Sequence, residues 1–152
     1  MTGSDQLQPA QGEARRLRAG LYARTASRDP ADRSPIEDQL RVAREFAGQK
    51  GWVVVQEYID WGYSGNSSQR PGLERMMEDA RNGEIQVVVV SNLHRLSRSL
   101  LNLLECVSWL HRHGVQVVSA GGEVDPQAIA RWACLWEDIQ KYAESAQAGT
   151  PC

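Results

Sequence analysis

Apolar positions along this chain fall into two alternating periods, and the alternation predicts strands separated by helices. Residues 19–25 read as a short strand. The segment "SPIEDQLRVAREFAGQKG" then carries helix signals. Ser34 suits an N-cap, Pro35 the first helical position, and Glu37 completes a capping box. Ile36, Leu40, Ala43 and Ala47 form one apolar stripe, and Gly51 is a stop. "WVVVQEYI" reads as a strand and "WGYSGNSSQRPG" as a twelve-residue polar loop, long enough to suggest a role. A helix is expected from Pro71 to Asn82, closed by Gly83. "IQVVVV" is a continuous apolar run, as in a buried central strand. A third helix is predicted over 97–113, with Gly114 as its stop, then the strand "VQVVS" and a last helix over 126–147. The order predicts an α/β fold: a three-layer sandwich around a mostly parallel sheet, with a further C-terminal helix.

Ligands of such sheets bind outside the carboxyl ends of the strands, so the chemistry to look for lies in the strand-end segments. The first strand ends in "YARTAS", with Arg24. The polar loop carries Ser64 and Arg70. "SNLHRLSRS" follows the central strand and carries Arg95 and Arg98, which face the same way if that segment is helical. Clustered guanidinium groups suit a phosphate, because the planar fork matches its oxygens and stays charged. No glycine-rich nucleotide loop and no metal-ligand spacing occurs, so arginines would have to neutralise the charge themselves. Strand alternation puts Tyr22, Arg24 and Ala26 on one face and Thr25 on the other. Beside Arg24, where a hydroxyl would be useful, there is a methyl group.

Composition narrows the class. With 152 residues, 41% hydrophobic, the chain can bury one core. A net charge of −2 excludes coating nucleic acid by bulk charge, though not through a local basic cluster. No run approaches the roughly 18 apolar residues of a membrane span. Residues 1–17 are polar and read as a disordered tail ending in Arg15, Arg16 and Arg18. Cys106, Cys134 and Cys152 are odd in number and far apart, which fits a reducing cytoplasm; Cys106 and Cys134 fall in helix patterns and are expected to be buried and inert.

The segments "YARTAS", "SPIEDQL", "YIDWGYSG", "QRPGL" and "HRLSRSLLNLL", in this order and spacing, resemble the catalytic domain of serine site-specific recombinases, the resolvase/invertase family. The resemblance runs from about Leu21 to Asp125. It implies a resolvase-like fold over 18–125 and DNA strand exchange. In that reaction a serine attacks a DNA phosphodiester to give a 5′-phosphoserine link, while arginines cradle the phosphate without metal or cofactor. It carries Arg24, Arg70, Arg95 and Arg98 over as catalytic, phosphate-binding residues, with Gln39 and Ser64 also facing phosphate or DNA.

The departures fall at the chemistry. The family's nucleophile lies two residues after the arginine, and that position is Ala26. Its aspartate before R-L-S-R is His94, and its frequent glutamine four past the nucleophile is Pro30. Ser27 is the nearest substitute nucleophile, and it serves only if the strand ends early or bulges there. The family also carries a separate DNA-binding domain; after the helix over 126–147 there is only the tail 148–152, so sequence reading by this chain is not expected. The last helix places Ile129, Trp132, Trp136 and Ile139 at helical spacing, which suits a homodimer interface. The expectation is a family member acting on DNA in a bacterial cytoplasm, nucleoid-associated, with impaired cleavage. The alternative is a non-catalytic module that pairs with itself or with a full-length recombinase.

Overall fold

The computed structural model describes residues 16–26, 34–62, 70–122 and 126–148. Most of the predicted N-terminal tail, and both Ser27 and Ser64, therefore lie outside the described residues. Four strands, β1 (Arg18–Thr25), β2 (Val53–Trp61), β3 (Val87–Val90) and β4 (Gln116–Ser119), form one parallel sheet in the order β2-β1-β3-β4. The helices are α1 (Ser34–Gln49), α2 (Pro71–Arg81), α3 (Leu93–Leu96), α4 (Leu100–Arg112) and α5 (Pro126–Ala148).

β1 is buried on both faces, as a central parallel strand should be. Its side chains alternate between two cores. Leu21 and Ala23 meet Ile36, Leu40, Ala43 and Ala47, the stripe read from the sequence of α1. Tyr22 points the other way, into a core built with Met76 of α2, Leu103 and Leu110 of α4, and Ile129 of α5. One helix thus covers one face, and the other four, α3 included through Leu93 and Leu96, cover the other. The chain runs from β1 outward to β2, then returns to place β3 on the opposite side of β1. That reversal makes a crevice at the carboxyl ends of β1 and β3.

Three expectations need correction. The helix predicted over 97–113 is two helices with a break. α3 begins four residues earlier, Ser97 is extended (φ −162°, ψ 146°), and α4 starts afresh at Leu100. The serines supply the reason. Ser97 Oγ accepts from Ser99 N–H and donates to Ser99 O, while Ser99 Oγ caps α4 by accepting from Asn102 N–H. Short hydroxyl side chains compete with helical bonding in this way. The break also separates Arg95 from Arg98, so they do not share a helix face. Secondly, β2 runs on to Trp61, which puts Asp60 inside the sheet. Thirdly, the buried-thiol expectation holds only in part for Cys106, which is half-buried with its pKa pushed by burial up to about 12, and fails for Cys134, which is exposed on α5.

Among the described residues no helix is long and apolar enough to cross a membrane. Leu110 is fully buried between α4 and the sheet. Leu110→Ala should lower unfolding free energy by about 2–5 kcal/mol, read by urea denaturation with an unchanged slope.

Candidate phosphate-binding site

Arg24 is the penultimate residue of β1 and points into the crevice. It is 1% exposed, a buried cation. β3 has ended at this level, so the backbone of Arg24 would lack a ladder partner on that side. Gln39 of α1 replaces the missing strand: its Oε1 accepts from Arg24 N–H at 3.0 Å and its Nε2 donates to Arg24 O at 2.9 Å. Gln39 is thereby a positioning group. The resemblance placed it among phosphate-binding residues, but both ends of its amide are engaged with the strand.

The guanidinium of Arg24 is satisfied by backbone. Nε donates to Arg95 O and Nη2 to His94 O, each at 3.0 Å. Arg70, 4% exposed, comes to the same place from the start of α2. Its Nη2 donates to Leu96 O at 2.6 Å, and its Nη1 approaches Arg95 O at 3.4 Å and Tyr22 Oη at 3.2 Å. Arg95 is half-buried, and its Nη1 reaches back to Arg24 O at 3.4 Å. Arg98 is exposed beyond the break, yet its charge still reaches Arg24. The structure thus brings Arg24, Arg70 and Arg95 around the carbonyl end of α3, with Arg98 at the rim. Burial, then the crowding of Arg70, Arg95 and Arg98, lowers the pKa of Arg24; the coulombic influence of Tyr22 opposes this.

Asp60 is the residue that sequence reading missed. It is fully buried, and its carboxylate accepts three hydrogen bonds: Tyr22 Oη–H at 2.7 Å, Gly72 N–H at 2.6 Å and Leu73 N–H at 3.0 Å. It therefore caps the N-terminus of α2, where a negative charge is favoured, and Arg70 itself offers no side-chain cap there. A β-carbon on Gly72 would sit 2.9 Å from Asp60 Oδ1 and from the Ile59 carbonyl, so only glycine allows the approach. The signal was present in "YID", an acid closing an apolar strand, and in the Pro-Gly pair after Arg70. Burial pushes the Tyr22 phenol far above its ordinary range, with Asp60 raising it further and Arg70 opposing.

The β1–β2 ladder holds to the pair Thr25–Trp61, and Gly62 N–H extends it by donating to Thr25 O at 2.7 Å. The strand ends at Thr25, before position 26. Ala26 is the first residue off the ladder, exposed at a bend. Among the described residues, no group of three or more His, Cys, Asp or Glu side chains is placed to hold a metal.

On α5 the predicted stripe divides. Ile129 is 2% exposed and belongs to the core, so its assignment to a dimer interface is corrected. Trp132 is half-buried against that core. The exposed face is made of Leu135, Ile139 and Tyr142, at 58%, 57% and 78%. A shallow cavity of about 320 Å3 lies between α4 and α5, walled only by apolar residues, among them Leu100, Leu104 and Trp136.

Comparison with known proteins follows the same outline. The family described as "Resolvase, N terminal domain" matches residues 19–148. A candidate DNA recombinase of Bacillus subtilis (strain 168) is 34% identical over 104 residues, 68% of this chain and 20% of that protein. The transposon Tn552 DNA-invertase BinR of Staphylococcus aureus is 44% identical over 52 residues, 34% of this chain and 26% of that protein. The chain thus spans about a quarter or less of either relative. Among solved structures, the N-terminal catalytic domain of TP901-1 integrase superimposes with a TM-score of 0.70 at 24% identity, covering 86% of this chain and 98% of that one. The C-terminal catalytic domain of ISC1926 TnpA, an IS607-like serine recombinase, gives 0.64 at 26% identity, covering 85% and 82%.

The phenols of Tyr22 and Tyr58 are both raised by burial. A raised folded-state value favours the protonated form, so this stability is fully present below the ordinary phenol value near 10 and is lost as pH rises above it. Denaturant midpoints should therefore fall above about pH 10, less steeply in Tyr22→Phe. Asp60→Ala, which leaves three buried donors unpaired, should cost about 2–4 kcal/mol at neutral pH by the same measurement.

Proposed function

The chain belongs to the resolvase family of serine recombinases, and on that premise we propose that it holds a DNA phosphodiester with Arg24, Arg70, Arg95 and Arg98 but does not cleave it efficiently. The observation that carries this reading is the convergence of three arginines at the end of β1, with Ala26 two residues after Arg24, where the family's serine would stand. In the family's reaction a serine hydroxyl attacks phosphorus and the 3′-oxygen leaves. The bond energy is kept in a phosphoserine ester, and guanidinium groups neutralise the developing charge. Ala26 offers no nucleophile. The ladder stops at Thr25 and Ala26 lies at a bend, while Ser27 falls outside the described residues, so the test of Ser27 is chemical.

The exposed apolar face of α4 and α5 favours self-association. Leu100, Leu135, Ile139 and Tyr142 remain in water in the single chain. Burying four such side chains in a two-fold interface gains on the order of 1.5–3 kcal/mol each before association costs. The same face suits pairing with a longer family member. Leu135→Glu should shift sedimentation from dimer to monomer, weakening association at least about tenfold, with the far-ultraviolet circular dichroism unchanged. A monomer at high micromolar concentration before substitution would remove the dimer from this reading.

The chemistry is tested with a duplex carrying a nick that traps covalent intermediates. No protein–DNA adduct should form with the unaltered chain. Ala26→Ser combined with His94→Asp should form one, mapped by mass spectrometry to residue 26, at a rate at least about a hundredfold higher. An adduct on Ser27 of the unaltered chain would overturn the impairment.

A further inference from the structure

The two buried cations of the crevice, Arg24 and Arg70, are not open to a ligand in this structure. They are bonded to α3. Three consecutive carbonyls, those of His94, Arg95 and Leu96, accept from Arg24 and Arg70 at distances from 2.6 to 3.4 Å. These are the last carbonyls of a four-residue helix, which lack partners within the helix and carry its partial negative charge. Three oxygens presented together to two guanidinium groups resemble the oxygens of a phosphoryl group in number and in sign. We propose that α3 is an internal latch: in the free protein its carbonyl end occupies the seats for a phosphate, and when a phosphodiester binds α3 shifts so that its carbonyls leave those seats while the long Arg95 side chain still reaches the site. This rests on the phosphate reading given above, and it adds what that reading lacks, a closed and an open state of the site.

Two further observations support it. The first is incomplete satisfaction. Ser91 Oγ, Asn92 Oδ1, Arg95 Nε and Arg70 Nε are buried without a hydrogen-bond partner among the described residues. The first three lie in α3 or just before it, and the fourth belongs to an arginine that grips it. Buried polar groups left unpaired are costly, so the closed arrangement carries a local penalty that opening can relieve. The second is construction. α3 has extended backbone on both sides, at Asn92 (φ −155°, ψ 163°) and at Ser97 (φ −162°, ψ 146°). Its apolar anchors are Leu93 and Leu96. A short element between two extended joints can move as a unit without disturbing β3 or α4.

The energetic direction is also set. A guanidinium meets a phosphate with two parallel hydrogen bonds and an opposite charge, where a neutral carbonyl offers one acceptor and no charge. Neither Arg70 nor Arg95 has an ion-pair partner among the described residues, so a phosphate brings compensation that the carbonyls do not. A ligand shifts a two-state element only through such differential affinity.

The test has one arm that uses no phosphate. Phenylglyoxal, which modifies accessible guanidinium groups, is applied to the full chain and each arginine is read by peptide mass spectrometry. Arg98 should react readily, and Arg24 and Arg70 at least about tenfold more slowly. Leu93→Ala loosens one anchor of α3 and should speed modification of Arg24 by about fivefold or more. Leu110→Ala, destabilised elsewhere, should not do so at matched stability. In the second arm, a short duplex is added and amide hydrogen exchange is followed over residues 91–99. Exchange there should rise on binding, and Leu93→Ala should bind the duplex about threefold or more tightly. Binding with unchanged or slowed exchange in that segment, or Arg24 as reactive as Arg98 in the free protein, would overturn the latch. Failure of the phosphate reading looks different: Arg24 is masked and then unmasked by Leu93→Ala, but neither form binds the duplex.

Discussion

A guanidinium group cannot be taken out of water unless the protein replaces its hydration, and Arg24 is almost wholly out of water. Much of the crevice answers that requirement. Oxygen acceptors must face the end of β1, and β3 has already stopped there. The chain supplies them by turning one helical turn after β3 and stopping it, so that its carbonyls point back at Arg24. Continuing that helix would tie the same carbonyls into helical hydrogen bonds. The extended Ser97 that splits the predicted helix is therefore part of how the cation is accommodated, and Ser97 and Ser99 hold the break by bonding to each other.

The second buried cation is placed by a different device. Arg70 stands at the entry to α2, and the position of that helix is fixed by Asp60 through two backbone amides. The same carboxylate accepts from Tyr22, whose oxygen in turn lies 3.2 Å from Arg70 Nη1. One acid therefore ties a strand, a helix and an arginine together. It is not paired directly with a guanidinium, which leaves the positive charge of Arg70 uncancelled where a phosphate would arrive. The Arg70 guanidinium carbon also lies 5.7 Å from the centroid of the Tyr22 ring, within reach of a cation–π contact.

Much of this was legible before the structure. The apolar stripe of α1 and the continuous run of β3 gave the layers, and strand-end placement gave the arginines. What was not legible depended on contacts distant in sequence. Nothing local to Gln39 says that its amide completes a strand; that follows from β3 ending at Val90. Asp60 reads locally as an acid at a strand end, and only the docking of α2 makes it a cap. The hydroxyls of Ser97 and Ser99 outweighed a helical pattern that periodicity alone favoured. On α5, periodicity found the apolar positions but could not apportion them. Ile129 turned inward because β4 brings the start of the helix against the core, while Ile139 lies beyond it.

The arginines and the nucleophile position carry different information. Arg24 and Arg70 are integral to packing: each is buried, each organises the end of α3, and removing either leaves carbonyls of that turn unpaired in a dry interior. Their presence would be required by the fold whether or not a phosphodiester is ever cleaved. Position 26 has no such duty. It lies off the ladder and exposed, where serine and alanine are nearly equivalent for stability. A change there removes the hydroxyl without disturbing the cations around it. On the proposed reading the crevice keeps the electrostatics of the family's reaction, and the side chain at 26, not the arginine cluster, is what would separate a binding site from a catalytic one.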